Sequence, residues 1–172
     1  MRTLWTSCKI IVLATLVASF FAGCASVPKP RAYTVRLTVD PALAGTTVMV
    51  DLLGANEISD LPKWQRYSVT EYWQPGNVFR RDARKAAMEF GRDRPTVQTL
   101  AMTDPHWNEW LKTGAMHLVI VADIPGVVND QAGNADPRRL IVPLDKAVWG
   151  KAEVIDIMVN ESGLRLVTPK KS

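Results

Sequence analysis

Cysteine is nearly absent from this chain: its 172 residues hold two, Cys8 and Cys24, both near the start. Beyond Cys24 there is no thiol. Disulfides, a cysteine nucleophile and thiolate metal sites are therefore excluded for everything downstream. Stability there must come from a packed core, and ~150 residues suffice for one domain with a sizeable core. Histidine is equally scarce, with only His106 and His117 and no paired spacing between them. A histidine-built metal centre needs two or three converging ligands. The Gly-x-Ser-x-Gly elbow, the glycine-rich phosphate loop and the dinucleotide fingerprint are all missing. There is no internal repeat and no low-complexity stretch. Neither sign of charge dominates, with 21 Lys and Arg against 17 Asp and Glu. Arg80, Arg81, Arg84 and Lys85 do cluster, followed by Arg92 and Arg94. No nucleic-acid module or aromatic-studded basic face accompanies them, so nucleic acid is not an expected partner. The cluster reads as the solvated side of a helix.

What is present begins at the N-terminus. Arg2 and Lys9 make a positive start, and Ile10 to Phe21 is apolar except for Thr15 and Ser19. That run is about a dozen residues, short of the ~20 that span a bilayer. Ala22-Gly23-Cys24 follows it. The layout is that of an export signal, and its end resembles the lipobox of bacterial lipoproteins. The resemblance implies that Cys24 is acylated and becomes the mature N-terminus, and that residues 1–23 are removed. Ala25 in place of Asp implies the periplasmic face of the outer membrane, reached through the lipid. An ordinary secreted protein with a cysteine near its cleavage site is the alternative. Removing Arg2 and Lys9 leaves 19 basic residues against 17 acidic ones.

The mature chain divides into a tether over 24–32, with Pro28 and Pro30, a domain over 33–168 and a tail over 169–172. Tyr33, Val35, Leu37 and Val39 alternate with polar residues, which predicts a half-buried strand. Thr46 to Leu53 predicts a second strand buried on both sides, broken only by Asp51. Ser59 or Asp60 caps a short helical turn around Pro62 to Arg66. Ser68 to Trp73 reads as a short strand or extended segment. The clearest expected helix runs from Asn77, as N-cap, to Phe90, with Phe79, Ala83, Ala86, Ala87 and Phe90 at helical spacing and Gly91 as the stop. Strands are expected over 96–102, 116–124, 138–144, 154–159 and 164–167. A short helix capped by Asp104 lies among them, and a turn or helix surrounds Trp149. The fold class expected is mainly β: an antiparallel β-sandwich with one or two packed helices, preceded by a lipoprotein signal peptide.

No cofactor and no metal are expected. Asp123 ends an apolar strand, where a carboxylate more often holds a turn than does catalysis. Asn129, Asp130, Asn134 and Asp136 miss the EF-hand spacing and its closing Glu. Aromatic residues carry more information. Trp107 and Trp110, beside Leu111, read as core. Trp64 and Trp73 have polar neighbours and are the better surface candidates, for glycan or for a protein.

Three stretches carry a wider likeness. They are the tether with the strand Tyr33–Val39, the strand Thr47–Leu53, and the series Leu118–Asp123, Arg139–Leu144, Trp149, Ile155–Val159 and Leu164–Leu166. Together they resemble the TssJ-like outer-membrane lipoprotein of type VI secretion systems. The resemblance implies a transthyretin-like β-sandwich, no catalytic site, and a role in tethering an envelope complex by binding the periplasmic part of an inner-membrane protein. It also implies partner contacts in the loop after the first strand. Asp40, Pro41 and Leu43 are the loop residues chosen here, with Trp64 and Trp73 beside them. The alternative function is a glycan- or peptidoglycan-binding envelope lipoprotein. A hydrolase using Asp123 or His117 is a third reading.

Overall fold

The computed structural model describes residues 28–128 and 130–171; the signal segment, Cys24 and Asn129 lie outside them. Among the described residues eight strands form two four-stranded sheets. Strands β1 (Thr34–Val39), β4 (Val97–Leu100), β7 (Val154–Asn160) and β8 (Gly163–Leu166) make one sheet, in the order β4-β1-β7-β8. Strands β2 (Val48–Asn56), β3 (Lys85–Phe90), β5 (Ala115–Asp123) and β6 (Arg139–Pro143) make the other, in the order β3-β2-β5-β6. The sandwich expected from the alternating pattern is therefore present. One pairing departs from it: β1 and β7 are parallel, from Thr34↔Val154 to Val39↔Val159.

The core follows from side-chain alternation. Val35, Leu37 and Val39 meet Val48, Val50 and Leu52, with Leu118 and Ile120 from β5 and Ile155, Ile157 and Val159 from β7. The opposite face of the second sheet is buried as well. There Leu53, Ala55, Val119 and Val121 lie under Trp64, Val69 and Tyr72. Burial on two faces explains why β2 and β5 read as almost continuous apolar runs.

The covering layer comes from helices α1 (Leu61–Arg66), α2 (Val69–Tyr72) and α3 (Val78–Asp82). Segment α2 replaces the strand or extended piece expected over 68–73. Ser68-Val69-Thr70-Glu71 carries a capping signature, and the Ser68 hydroxyl accepts from the Glu71 N–H at 2.9 Å.

The long helix expected over Asn77–Phe90 is not formed. Asn77 does cap α3, its side chain accepting from the Arg80 N–H at 2.8 Å. The helix ends at Asp82, and Ala83 turns extended. Lys85–Phe90 is then strand β3, paired antiparallel with β2 from Val48↔Phe90 to Leu53↔Lys85. This stretch carries two periods at once. Ala86, Met88 and Phe90 also repeat every second residue, and Ala86 and Phe90 are buried in the sandwich. An open edge on β2 offers a ladder of hydrogen bonds, and tertiary pairing overrides the local helical period.

Two further helices sit in crossings: α4 (Pro105–Lys112) and α5 (Lys146–Trp149). Asp104 caps α4 as expected, accepting from the His106 N–H at 3.0 Å. Trp107 and Trp110 are fully in the core. Among the described residues no helix is long and apolar enough to cross a membrane.

Candidate functional site

The strand order gives the sandwich two different ends. At one end the chain enters at Lys29–Arg31. Here Pro30 bridges to Asp145, the Lys29 N–H donates to the Asp145 carboxylate at 3.1 Å, and the Arg31 N–H donates to the Leu144 carbonyl at 3.2 Å. Of the tether expected over 24–32, Lys29, Pro30 and Arg31 are thus bonded to the domain. At the other end lie the connections β1–β2 (40–47), β3–β4 (91–96) and β5–β6 (124–138) and the β7–β8 turn (161–162).

The first expected contact segment sits at that far end. Asp40 to Leu43 forms a 3-10 turn in which the Asp40 carboxylate accepts from the Ala42 N–H at 2.9 Å. The Asp40 N–H in turn donates to Val159 at 2.8 Å, which ties the loop to β7. Leu43 points inward and is 5% exposed, so it fixes the loop and offers little surface. Pro41, Ala42 and Ala44 are exposed. A small cavity of about 90 Å³ separates this loop from the β3–β4 connection, bounded by Leu43, Gly45, Phe90, Arg92, Arg94 and Pro95.

The tryptophans belong elsewhere. Trp64 is 5% exposed and stacks at 4.9 Å from Phe79 and 5.5 Å from Tyr72. This corrects the expectation that it faces solvent: its polar sequence neighbours point outward from α1 while the indole covers the outer face of the second sheet. Trp73 is half-buried beneath the Arg80 guanidinium, 4.2 Å from the ring centroid. Neither residue lies in the exposed loops of the far end.

Arg80 itself is not part of a solvated helix face. Its Nε donates to the Asp51 carboxylate at 2.8 Å, and the Tyr72 hydroxyl donates to the same oxygen at 2.9 Å. Burial, followed by the Asp51 charge, pushes the Tyr72 phenol far above its usual range. The polar break in the second strand is therefore the buried anchor of an ion pair with the partly exposed Arg80, which ties α2 and α3 to β2. Arg81 pairs with Asp82, and the Lys85 ammonium donates to the Arg80 carbonyl.

The β5–β6 connection holds residues that the sequence reading missed. Arg138 is buried and donates to Asp130 at 2.6 Å, to Asp136 at 3.1 and 3.2 Å, and to the Thr70 hydroxyl at 3.0 Å. Arg139 is buried beside it and donates to the carbonyls of Gly133, Tyr67 and Gln131. Asp130 also accepts from the Ser68 hydroxyl at 2.5 Å and the Thr70 N–H at 3.0 Å. The carboxylates of Asp130 and Asp136 are thus occupied by arginine, hydroxyl and backbone groups. Among the described residues no group of three or more metal-ligating side chains converges. The two arginines tie residues 130–136 of the loop to α2 and the backbone before it, while Val128 is 71% exposed. Adjacent arginines after an acidic loop were the available signal.

The remaining candidates do not converge. His117 starts β5 and lies 3.1 Å from the Glu57 carboxylate, whereas Asp123 ends the same strand. Six residues of strand put ~20 Å between them, so they share no site. His106 Nδ1 sits 2.7 Å from its capping Asp104.

No family model matches the chain, and no curated protein matches it. Among solved structures it is similar to Serratia marcescens Lip, a membrane-bound component of the type VI secretion system. That match has 12% identity and a TM-score of 0.49, over 80% of this chain and 98% of the other. A structure described as the T6SS protein TssM C-terminal domain (869–1107) from EAEC matches with 9% identity and a TM-score of 0.47, over 80% of this chain and 98% of that one. The T6SS lipoprotein TssJ1 from Pseudomonas aeruginosa matches with 10% identity and a TM-score of 0.48, over 84% and 98%.

Proposed function

We propose that the chain is a non-catalytic, lipid-anchored scaffold on the periplasmic face of the outer membrane. In this reading Cys24 carries the lipid, and the loop end of the sandwich binds a periplasmic protein partner. One observation carries it: the entering strap at Lys29–Arg31 and the 40–47 and 124–138 loops, with Pro41, Ala44 and Val128 exposed, occupy opposite ends of the sandwich. An anchored domain built this way presents its loops away from the membrane. Two buried arginines preorganise the longer loop, which lowers the ordering cost of binding. Pro41, Ala44 and Val128 are the contact residues of choice, with Asp40 and Leu43 shaping the turn beneath them. The resemblance read from the strand pattern makes a type VI secretion envelope complex the assembly to test, through an inner-membrane partner.

Two experiments test the reading separately. Metabolic labelling with a fatty acid should mark the wild-type protein and not Cys24→Ser; an unlabelled wild type would remove the anchor. Crosslinking from position 44 or 128 in intact cells should capture an envelope protein that crosslinking from position 63, on α1, does not. Equal capture from both would remove the loop end as the binding surface. The glycan-binding alternative draws no support from Trp64, which is buried under the helical layer.

A further inference from the structure

The anchor end of the sandwich carries a separate feature. A shallow cleft of about 440 Å³ is lined by Lys29, Lys146, Lys151 and Lys171, with Asp145 and the small residues Ala147 and Gly150. All four lysines are exposed. They come from three distant parts of the sequence and are gathered by backbone bonds: Lys146 N–H to the Lys29 carbonyl at 3.1 Å and Lys171 N–H to Val148 at 2.8 Å. Among the described residues none of their ammonium groups forms an ion pair. Asp145, the one carboxylate side chain among the described residues of the cleft, is occupied by the N–H groups of Lys29 and Ala147 at 3.1 Å each. Glu153 is the other acid on this connection. Among the described residues, four cations therefore face one carboxylate side chain that is already satisfied.

Chain length fixes what this face meets. Pro28 is four residues from Cys24, and four residues reach at most ~14 Å. We infer that the Lys29, Lys146, Lys151 and Lys171 face is a docking surface for the phosphate groups of an anionic lipid bilayer, which orients the sandwich beside its own anchor. This rests on the proposal that Cys24 is acylated. A lysine near an anionic surface contributes ~1 kcal/mol, and the effect dies away within a Debye length of ~10 Å. A free domain with four lysines would bind weakly. A domain already held at the surface by a short strap meets that charge at high effective concentration.

The test uses the purified full chain in vesicles. Vesicles of phosphatidylethanolamine with about one part in four phosphatidylglycerol are compared with vesicles of neutral phosphatidylcholine. Acetylation rates of single lysines are read by mass spectrometry, with Lys63 on α1 as the internal reference. The four lysines should react about fivefold more slowly in the anionic vesicles only, and about 0.5 M salt should restore the rate. Lys146→Glu with Lys151→Glu should abolish the salt-sensitive protection of Lys29 and Lys171 while the chain stays in the membrane. Equal rates in the two vesicle types, whether fast or slow, would overturn the inference. So would the same protection from inorganic phosphate alone, which would point to a soluble anion. Flotation with the neutral vesicles reports the anchor by itself. A chain that fails to float refutes acylation, and the lysine face is then judged by its protection on anionic vesicles at low salt, whose absence overturns it.

Discussion

Gly54 on β2 lies directly beneath Trp110 on α4: a Cβ added at Gly54 would stand 2.5 Å from the Trp110 Cβ and Cγ. The contact is backbone against indole. It allows the Trp110 Nε1–H to reach the Arg84 carbonyl at 2.9 Å, so α4 and the start of β3 are fixed together. Gly54→Ala should cost about 1–3 kcal/mol, the usual range for overpacking. Thermal denaturation of the purified protein checks it, and an unchanged midpoint would mean that α4 rides freely on the sheet.

Arg138 should matter for the loop and for the fold. Asp136 is completely buried and depends on this guanidinium. Arg138→Met should destabilise by about 3–5 kcal/mol, since an unpaired buried carboxylate remains. Arg138→Met combined with Asp136→Asn should recover much of the loss. A double-mutant cycle in denaturant measures the coupling.

Acid should loosen the same loop. Burial opposes ionisation of Asp130, but bonds from Ser68 and Thr70 and the charge of Arg138 outweigh it and hold the carboxyl below its ordinary value. A depressed folded value gives stability that is present above the unfolded pKa of ~3.9 and is lost as pH falls through the folded value. The protection of the Thr70 amide, measured relative to the free-amide exchange rate at each pH, should therefore fall only below the ordinary carboxylate range. Asp130→Asn should remove that pH dependence.

Trp64 should behave as a core residue. Trp64→Ala should cost about 3–5 kcal/mol, as buried tryptophan truncations do. Tryptophan fluorescence should stay unmoved by muropeptides in the wild-type protein. A saturable shift that Trp64→Phe abolishes would restore the glycan reading.

The loop end should tolerate charge without unfolding. Val128→Asp and Ala44→Glu change exposed positions and should alter stability by no more than about 0.5 kcal/mol. Both should sharply reduce crosslinked partner in cells. Full capture by the two variants would place the partner elsewhere.

Much of the sandwich was legible because strands report burial by alternation. Tyr33–Val39 announced one buried face, and Thr46–Leu53 announced two. The Asn77–Phe90 helix was misread because Ala86, Met88 and Phe90 fit both periods, and only the open edge of β2 decides between them. Position in the chain could not reveal the parallel pairing of β1 with β7, since the two strands are more than a hundred residues apart. The loop after β1 was legible as a loop, from Asp40-Pro41 and Gly45. Its neighbours at the same end were not, because nothing in the sequence pairs Arg138 and Arg139 with the acids and carbonyls that they hold in space. Trp64 misled for the opposite reason: a helix one and a half turns long shows solvent to most of its residues and hides one large ring.

The parallel pairing of β1 with β7 also sets an order in time. Strand β1 is central in its sheet, flanked by β4 on one side and by β7 on the other. The first strand of the domain cannot be fully hydrogen-bonded until Val154–Asn160 has arrived, whereas β2, β3, β5 and β6 can close on one another earlier. Long-range pairing of this kind slows folding. A chain exported N-terminus first would hold its opening strand half-paired until its closing residues had crossed. A truncation ahead of Val154 should therefore yield a protein whose first sheet never completes, however intact its second.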